Sequence, residues 1–178
     1  MGDRPLCLTE LLGITRDEPI WHLWRNQHEL EKKEYSDVHF YSIRPKGISF
    51  QWTPQPDPSR SKLLAIDIYN GHQKWGPYPY YPIIIYHGEK YLEVQPTTKA
   101  LEFVQALGEP KRKGGGALTA GPAMWMEWEL LSAQPESMSR LFVQVEFAGE
   151  SARSPDRWEP GRGTEAVWGI MTLSNAPP

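Results

Sequence analysis

The chain has 178 residues, of which 39% are hydrophobic and 23% charged, and its net charge is −3. That length serves one domain, 1–178, with a core large enough to need no metal or disulfide staple, and the acidic balance excludes a globally basic nucleic-acid binder. Seventeen prolines predict short elements joined by stiff turns, and the single cysteine, Cys7, excludes an intramolecular disulfide and an all-cysteine metal site.

The first thirty residues hold no apolar run long enough for a signal peptide or a membrane span. Gly2 stands where a myristoylation signal begins, but Leu6 replaces its Ser or Thr. A chain without disulfides is expected in a reducing compartment, the cytoplasm with the nucleus as alternative. Thr15-Arg16-Asp17-Glu18 fits a capping box, and Pro19 is tolerated in a first helical turn. Ile20, Leu23, Trp24 and Leu30 then follow helical spacing, which predicts a helix over 17–34. Period-two alternation predicts three strands, with Val38, Phe40 and Ser42, then Ile48, Phe50 and Trp52, then Leu64, Ile66 and Ile68 as their apolar faces. Alternate prolines make 54–61 a loop, and Asn70-Gly71 is a turn.

A Pro-aromatic segment follows, with Trp75, Tyr78, Tyr80 and Tyr81 interleaved by Pro77, Pro79 and Pro82. Residues 83–86 and 91–94 read as a strand and its return across His87-Gly88. A second helix carries Ala100, Leu101, Val104 and Leu107 on one stripe, capped by Thr97 or Thr98 and stopped by Gly108 and Pro110. After a loop over 111–122, Met124, Met126, Trp128 and Leu130 oppose Trp125, Glu127 and Glu129. Leu141, Val143, Val145 and Phe147 oppose Phe142, Gln144 and Glu146, and Val167, Gly169, Met171 and Leu173 form the apolar side of a last strand. The expected fold class is α+β: two helices packed on one face of a twisted antiparallel sheet, compatible with a tandem αβββ duplication of halves 1–95 and 96–178.

Leu107-Gly108-Glu109-Pro110 after a short helix, then a glycine-rich loop, a Trp-bearing strand and a second apolar strand form a recognisable order. It resembles the αβ repeat of β-lactamase-inhibitor-protein-like and outer-membrane-lipoprotein-assembly-like domains, tandem copies of which are suggested in the phagosome assembly factor family. The matching stretches are 98–147 and, more loosely, 47–69, and the whole chain also looks like fungal proteins with no assigned activity. The resemblance implies a protein- or lipid-associated binding module without a cofactor, and it carries no functional residue over.

Lys111-Arg112-Lys113 followed by three glycines is not a P-loop, because a helix precedes and a strand follows it; it reads first as a flexible, solvated connector, with a basic edge for an anionic contact or a short nuclear-localisation signal as the alternatives. Trp125, Glu127 and Glu129 share one strand face, as do Gln144 and Glu146, and Asp67 and Tyr69. Eight tryptophans and the Pro-aromatic segment offer rigid contact area of the kind that dominates interfaces. The five histidines show no HxH or HxxxH spacing, so no metal site is expected. These residues predict a non-enzymatic protein-binding module, an adaptor or regulator. Its surface is formed by Trp75, Tyr78, Tyr80, Tyr81, Trp125, Glu127 and Glu129, with Arg112 and Lys113 at a basic edge. The alternatives are a small-molecule or carbohydrate binder using the same rings, and an acid/base enzyme pairing two of Asp67, Glu127, Glu129 and Glu146.

Overall fold

Antiparallel pairing is set by the alternating segments. A computed structural model describes residues 8–71, 74–115, 123–131 and 140–176, apart from the side chains of Trp24 and Gln27. Cys7, the amino-terminal Gly2, His72 and the end of the glycine run at 116–122 lie outside the described residues. In chain order the elements are α1 (Pro19–Gln27), β1 (Glu31–Glu34), β2 (His39–Ile43), β3 (Ile48–Trp52), β4 (Leu63–Tyr69), β5 (Ile83–His87) and β6 (Lys90–Val94). Then follow α2 (Ala100–Leu107), β7 (Arg112–Gly114), β8 (Trp125–Leu130), β9 (Leu141–Ala148) and β10 (Val167–Ser174). Eight strands form one antiparallel sheet in the order β1-β2-β3-β4-β10-β9-β8-β7, and β5 and β6 form a separate hairpin. Two four-stranded meanders therefore meet at β4 and β10, and seven strand spacings make the sheet about 34 Å wide.

The α+β expectation is corrected. The protein is predominantly antiparallel β, with ten strands among the described residues against α-helices of only nine and eight residues. Each meander has four strands, so the αβββ unit is corrected with it. The predicted helix over 17–34 ends at Gln27, and Glu31–Glu34 is instead a fully exposed edge strand paired with β2. Helix propensity in Glu-Lys-Lys-Glu yields here to an edge position that charged side chains protect from further pairing. The basic segment read as loop supplies β7, the three-residue opposite edge.

Cross-strand register builds the core. Tyr41, Phe50, Ile66, Leu173, Val143 and Trp128 make one row, and Ile43, Ile48, Ile68, Met171, Val145 and Met126 the next. Trp21 of α1 packs on this face with ring centroids 5.9 Å from Tyr41, 5.2 Å from Phe50 and 4.8 Å from Trp52. Phe103 of α2 does the same against Trp128 at 6.0 Å and Phe147 at 5.8 Å. The two anchors differ from those predicted, since Leu23 is 62% exposed and Leu101 40%. The capping box at Thr15 does not form, because Glu18 is the N-cap and makes no side-chain cap bond, while Thr15 donates to Asp17. For α2 the N-cap is Lys99, whose N–H donates to the Glu102 carboxylate at 2.8 Å. Ile83, Ile85, Leu92 and Val94 of the hairpin join the same core.

Candidate functional site: the open face of the sheet

The opposite sheet face carries neither helix nor hairpin among the described residues, and its side chains are set by the same register. One row crosses all eight strands: Glu31, Ser42, Ser49, Asp67, Thr172, Gln144, Glu127 and Arg112. The row is polar throughout, and most of its members hydrogen-bond one another or a side chain beside the row. Ser42 and Ser49 share a hydrogen bond of 2.8 Å, Gln51 and Thr172 each donate to Asp67 at 2.7 Å, and Arg112 donates to Glu127 at 3.2 Å. Asp67 and Glu127 are buried, which a polar group tolerates only when hydrogen-bonded. Burial pushes the Asp67 carboxyl above its ordinary range, and the two donated hydrogen bonds oppose that shift.

A second row holds the aromatic groups. Tyr69 pairs with Ile170, Ile170 with Glu146, Glu146 with Trp125, and Trp125 with Gly114. At one end Trp75 stacks on Tyr69 at 3.9 Å and 2° interplanar angle, with the Arg44 guanidinium 5.1 Å from the Trp75 ring centre. At the other end the Arg112 guanidinium stands 5.6 Å from the Trp125 ring. Each end is thus a stacked cation–aromatic pair, and three strand spacings separate Tyr69 from Trp125 by about 14 Å. Burial raises the Tyr69 phenol well above its usual range, helped by the negative charge of Asp67.

Two glycines fix where Trp75 sits. Gly47 has φ +56°, and a Cβ on it would meet the Gly76 carbonyl oxygen at 2.2 Å. A Cβ on Gly76 would meet the Pro45 oxygen at 2.3 Å. The Gly76 N–H donates to the Arg44 carbonyl at 2.9 Å and the Tyr78 N–H to the Tyr69 carbonyl at 3.0 Å. The Pro-aromatic segment is therefore laid directly on the turn before β3 and on the end of β4, which carries Trp75 onto Tyr69. On the far side of the open face, the Trp125 ring lies 2.9 Å from the Cβ position of Gly114.

The predicted surface residues separate in the structure. Trp75 and Trp125 are half-buried on the open face, with Arg112 stacked on the latter. Glu127 is buried within the open-face row, and its carboxylate accepts from Arg112. Glu129 pairs with Lys111 and with Arg140, which keeps its carboxyl below the ordinary range, the hydrogen bond from Lys111 being the largest cause. Lys113 lies in register with Met126, on the core side, with its ammonium 5.3 Å from the Trp158 ring. Tyr78 is buried, edge-on to Tyr80 and Tyr81, and its hydroxyl is pushed up in pKa by burial. Tyr81 packs edge-on against Trp168 and its pKa is pushed up to about 12, while Tyr80 is half exposed.

Three of the four candidate carboxylates already have partners: Asp67 accepts from Gln51 and Thr172, Glu127 from Arg112, and Glu129 from Lys111. Asp67 and Glu127 stand in one row with Thr172 and Gln144 between them, and two clefts lie elsewhere, one at 149–154 and one between Arg16, Trp21 and Tyr41. Sequence reasoning missed Arg44 and Ile170 as members of the face, and Tyr69 as the stacking partner of Trp75. Parity placed Tyr69 beside Asp67, but only the β4–β10 pairing brings Tyr69 into register with Ile170. No cluster of three or more His, Cys, Asp or Glu side chains among the described residues is arranged to hold a metal ion. No helix among the described residues is long and apolar enough to cross a membrane. No family model matches the chain, and neither a curated protein nor a solved structure matches it.

Proposed function

We propose that this chain is a non-enzymatic protein-binding module that docks a folded partner on the open sheet face. The observation that carries the reading is the row Tyr69–Ile170–Glu146–Trp125, closed at each end by an Arg-stacked tryptophan. Trp, Tyr and Arg are the residues that dominate interface energetics, and here they are held in place before any partner arrives, which lowers the ordering cost of binding. Strands of three to eight residues, about six on average, across a sheet about 34 Å wide give a face of roughly 700 Å², close to the ~800 Å² per partner of a standard interface. A folded surface suits this face better than an added strand. The sheet edges are a charged exposed β1 and a three-residue β7, neither of which templates strand addition.

The test is affinity capture from a native lysate at physiological salt, with wild type, Trp75→Ala, Trp125→Ala and Tyr91→Ala, the last on the hairpin away from this face. Circular dichroism checks that each variant is folded, and oxidative footprinting of the captured complex reads protection at Trp75 and Trp125. Support is one protein retained by wild type and Tyr91→Ala, lost from both tryptophan variants, with both indoles protected. Capture that survives Trp125→Ala, or indoles as reactive in the complex as in the free chain, refutes the reading.

A further inference from the structure

Cations on the open face are neutralised: Arg44 pairs with Glu31, Arg112 with Glu127, and Lys111 with Glu129. On the other side of the sheet the pattern reverses. A cleft of about 270 Å³ between α1, β1–β2 and the loop after β3 has Trp21 and Pro58 as apolar walls and Arg16, Asp17, His22, Arg25, Lys32 and Tyr41 as its polar lining. Two cations converge there on one phenol, with the Arg16 guanidinium 5.7 Å and the Lys32 ammonium 5.5 Å from the Tyr41 ring centre. Among the described residues, no carboxylate lies within ion-pair distance of Arg16, Arg25 or Lys32. Asp17, the one acid of the cleft, accepts a hydrogen bond from Thr15.

Arg16 is the fixed point. Its Nη1 donates to the Tyr41 hydroxyl at 2.6 Å and its Nη2 to the Gln55 carbonyl, while its Nε is buried with no acceptor. A guanidinium held by two neutral acceptors, with Nε buried and no carboxylate paired to it, carries a charge that no protein group among the described residues neutralises. Arg25 and Lys32 add like charge, and gathering three cations around one acid costs free energy that a bound anion returns. The Tyr41 hydroxyl, having accepted from Arg16, retains its own proton to donate. The lining is thus rich in donors and poor in acceptors, which matches a group of high negative charge with several acceptor oxygens.

We propose that this cleft is a binding site for a phosphate monoester. Arg16 supplies the fixed charge, Tyr41 a hydroxyl donor, and Arg25 and Lys32 mobile charges at the rim. The volume is below the ~300–1,000 Å³ of drug-sized sites, so the ligand is a phosphate with a short substituent. The site lies on the helix side of the sheet and is independent of the docking face.

The experiment is an NMR titration of the whole chain, backed by thermal shift, with inorganic phosphate, glycerol phosphate and a short phosphoserine peptide. Potassium chloride at matched ionic strength is the control. The expected result is a saturable shift of residues around Arg16 and Tyr41 and a raised melting temperature. Arg25→Gln with Lys32→Gln, both solvent-exposed positions that leave the fold intact, is expected to weaken binding by about tenfold or more, as loss of charged hydrogen bonds does. Lys90→Gln on the hairpin leaves it unchanged. Tighter binding of the glycerol ester assigns the site to a free metabolite and tighter binding of the peptide to a phosphorylated chain; both support it. An equal response to chloride, or affinity unaltered in the double variant, overturns it.

Discussion

Asp67 gives the sharpest test of how the open face is built. It is a buried carboxylate whose two contacts, Gln51 and Thr172, are neutral donors, each at 2.7 Å. Asp67→Ala strands both donors in a buried site, and two unsatisfied groups at about 1–3 kcal/mol each outweigh the relief of removing a charge, so the net cost is about 2–4 kcal/mol. Asp67→Asn behaves differently. Its carbonyl accepts from Thr172, and a flip of the Gln51 amide lets the new amide donate to Gln51, so the network survives without its charge. Burial holds the folded-state pKa of Asp67 above the unfolded 3.8, so the folded chain binds the proton more tightly. Stability from this group is therefore full below pH 3.8, where both states are protonated, and is lost as pH rises through the folded-state value. Urea unfolding of wild type and both variants from pH 4 to 8 reads the outcome. Asp67→Asn is expected above wild type at pH 7, with the gap narrowing toward pH 4. An Asn variant as unstable as the Ala variant at pH 7, or a gap that ignores pH, would refute the reasoning.

Three further outcomes follow from particular contacts. Gly47→Ala places a Cβ at 2.2 Å from the Gly76 oxygen in a left-handed backbone, and a loss of at least about 2 kcal/mol in urea unfolding is expected, with altered Trp75 fluorescence. Phe103→Ala removes the ring that α2 presses against Trp128 and Phe147, and it is expected to cost about 3–5 kcal/mol by the same assay. Glu31→Val with Lys33→Val uncovers the β1 edge; concentration-dependent association by light scattering is expected, with little change in monomer stability because the lost ion pairs are exposed.

The strand faces were legible wherever the alternation was clean. Ile48, Phe50 and Trp52, Trp128 and Leu130, and Val143, Val145 and Phe147 all lie in the core as period two predicts. It failed in β2, where Tyr41 and Ile43 face the core and Phe40 stands in register with Gln51 on the open side. Both parities of that segment carry an aromatic residue, so alternation cannot choose between them, and the choice is made by pairing with Phe50 and Ile48. In β10 the register shift between Trp168 and Ile170 brings Trp168 into the core with Met171, which strict alternation forbids. The helical spacing of Ile20, Leu23, Trp24 and Leu30 overstates the length of α1, because it runs on into a charged segment that pairs with β2. Trp75 stands out within the Pro-aromatic segment and Trp125 by parity with Glu127 and Glu129, but nothing local marks Arg44, or Tyr69 as the ring on which Trp75 stacks.

Taken alone, the sequence determined what neighbours along the chain can settle. Most of the strands, the stop of α2 at Gly108, and the Pro-aromatic segment follow from period two, a positive φ at glycine and the fixed φ of proline. Tertiary structure decided everything that depends on pairing between distant segments. Joining β4 to β10 aligns Asp67 with Thr172 and Tyr69 with Ile170, residues about a hundred positions apart. The polar row, the two stacked ends of the open face and the cationic cleft exist only through such pairings, and no periodicity within one segment records its neighbour. Strand order is fixed by the burial of the whole apolar face at once, a cooperative property of the assembled sheet.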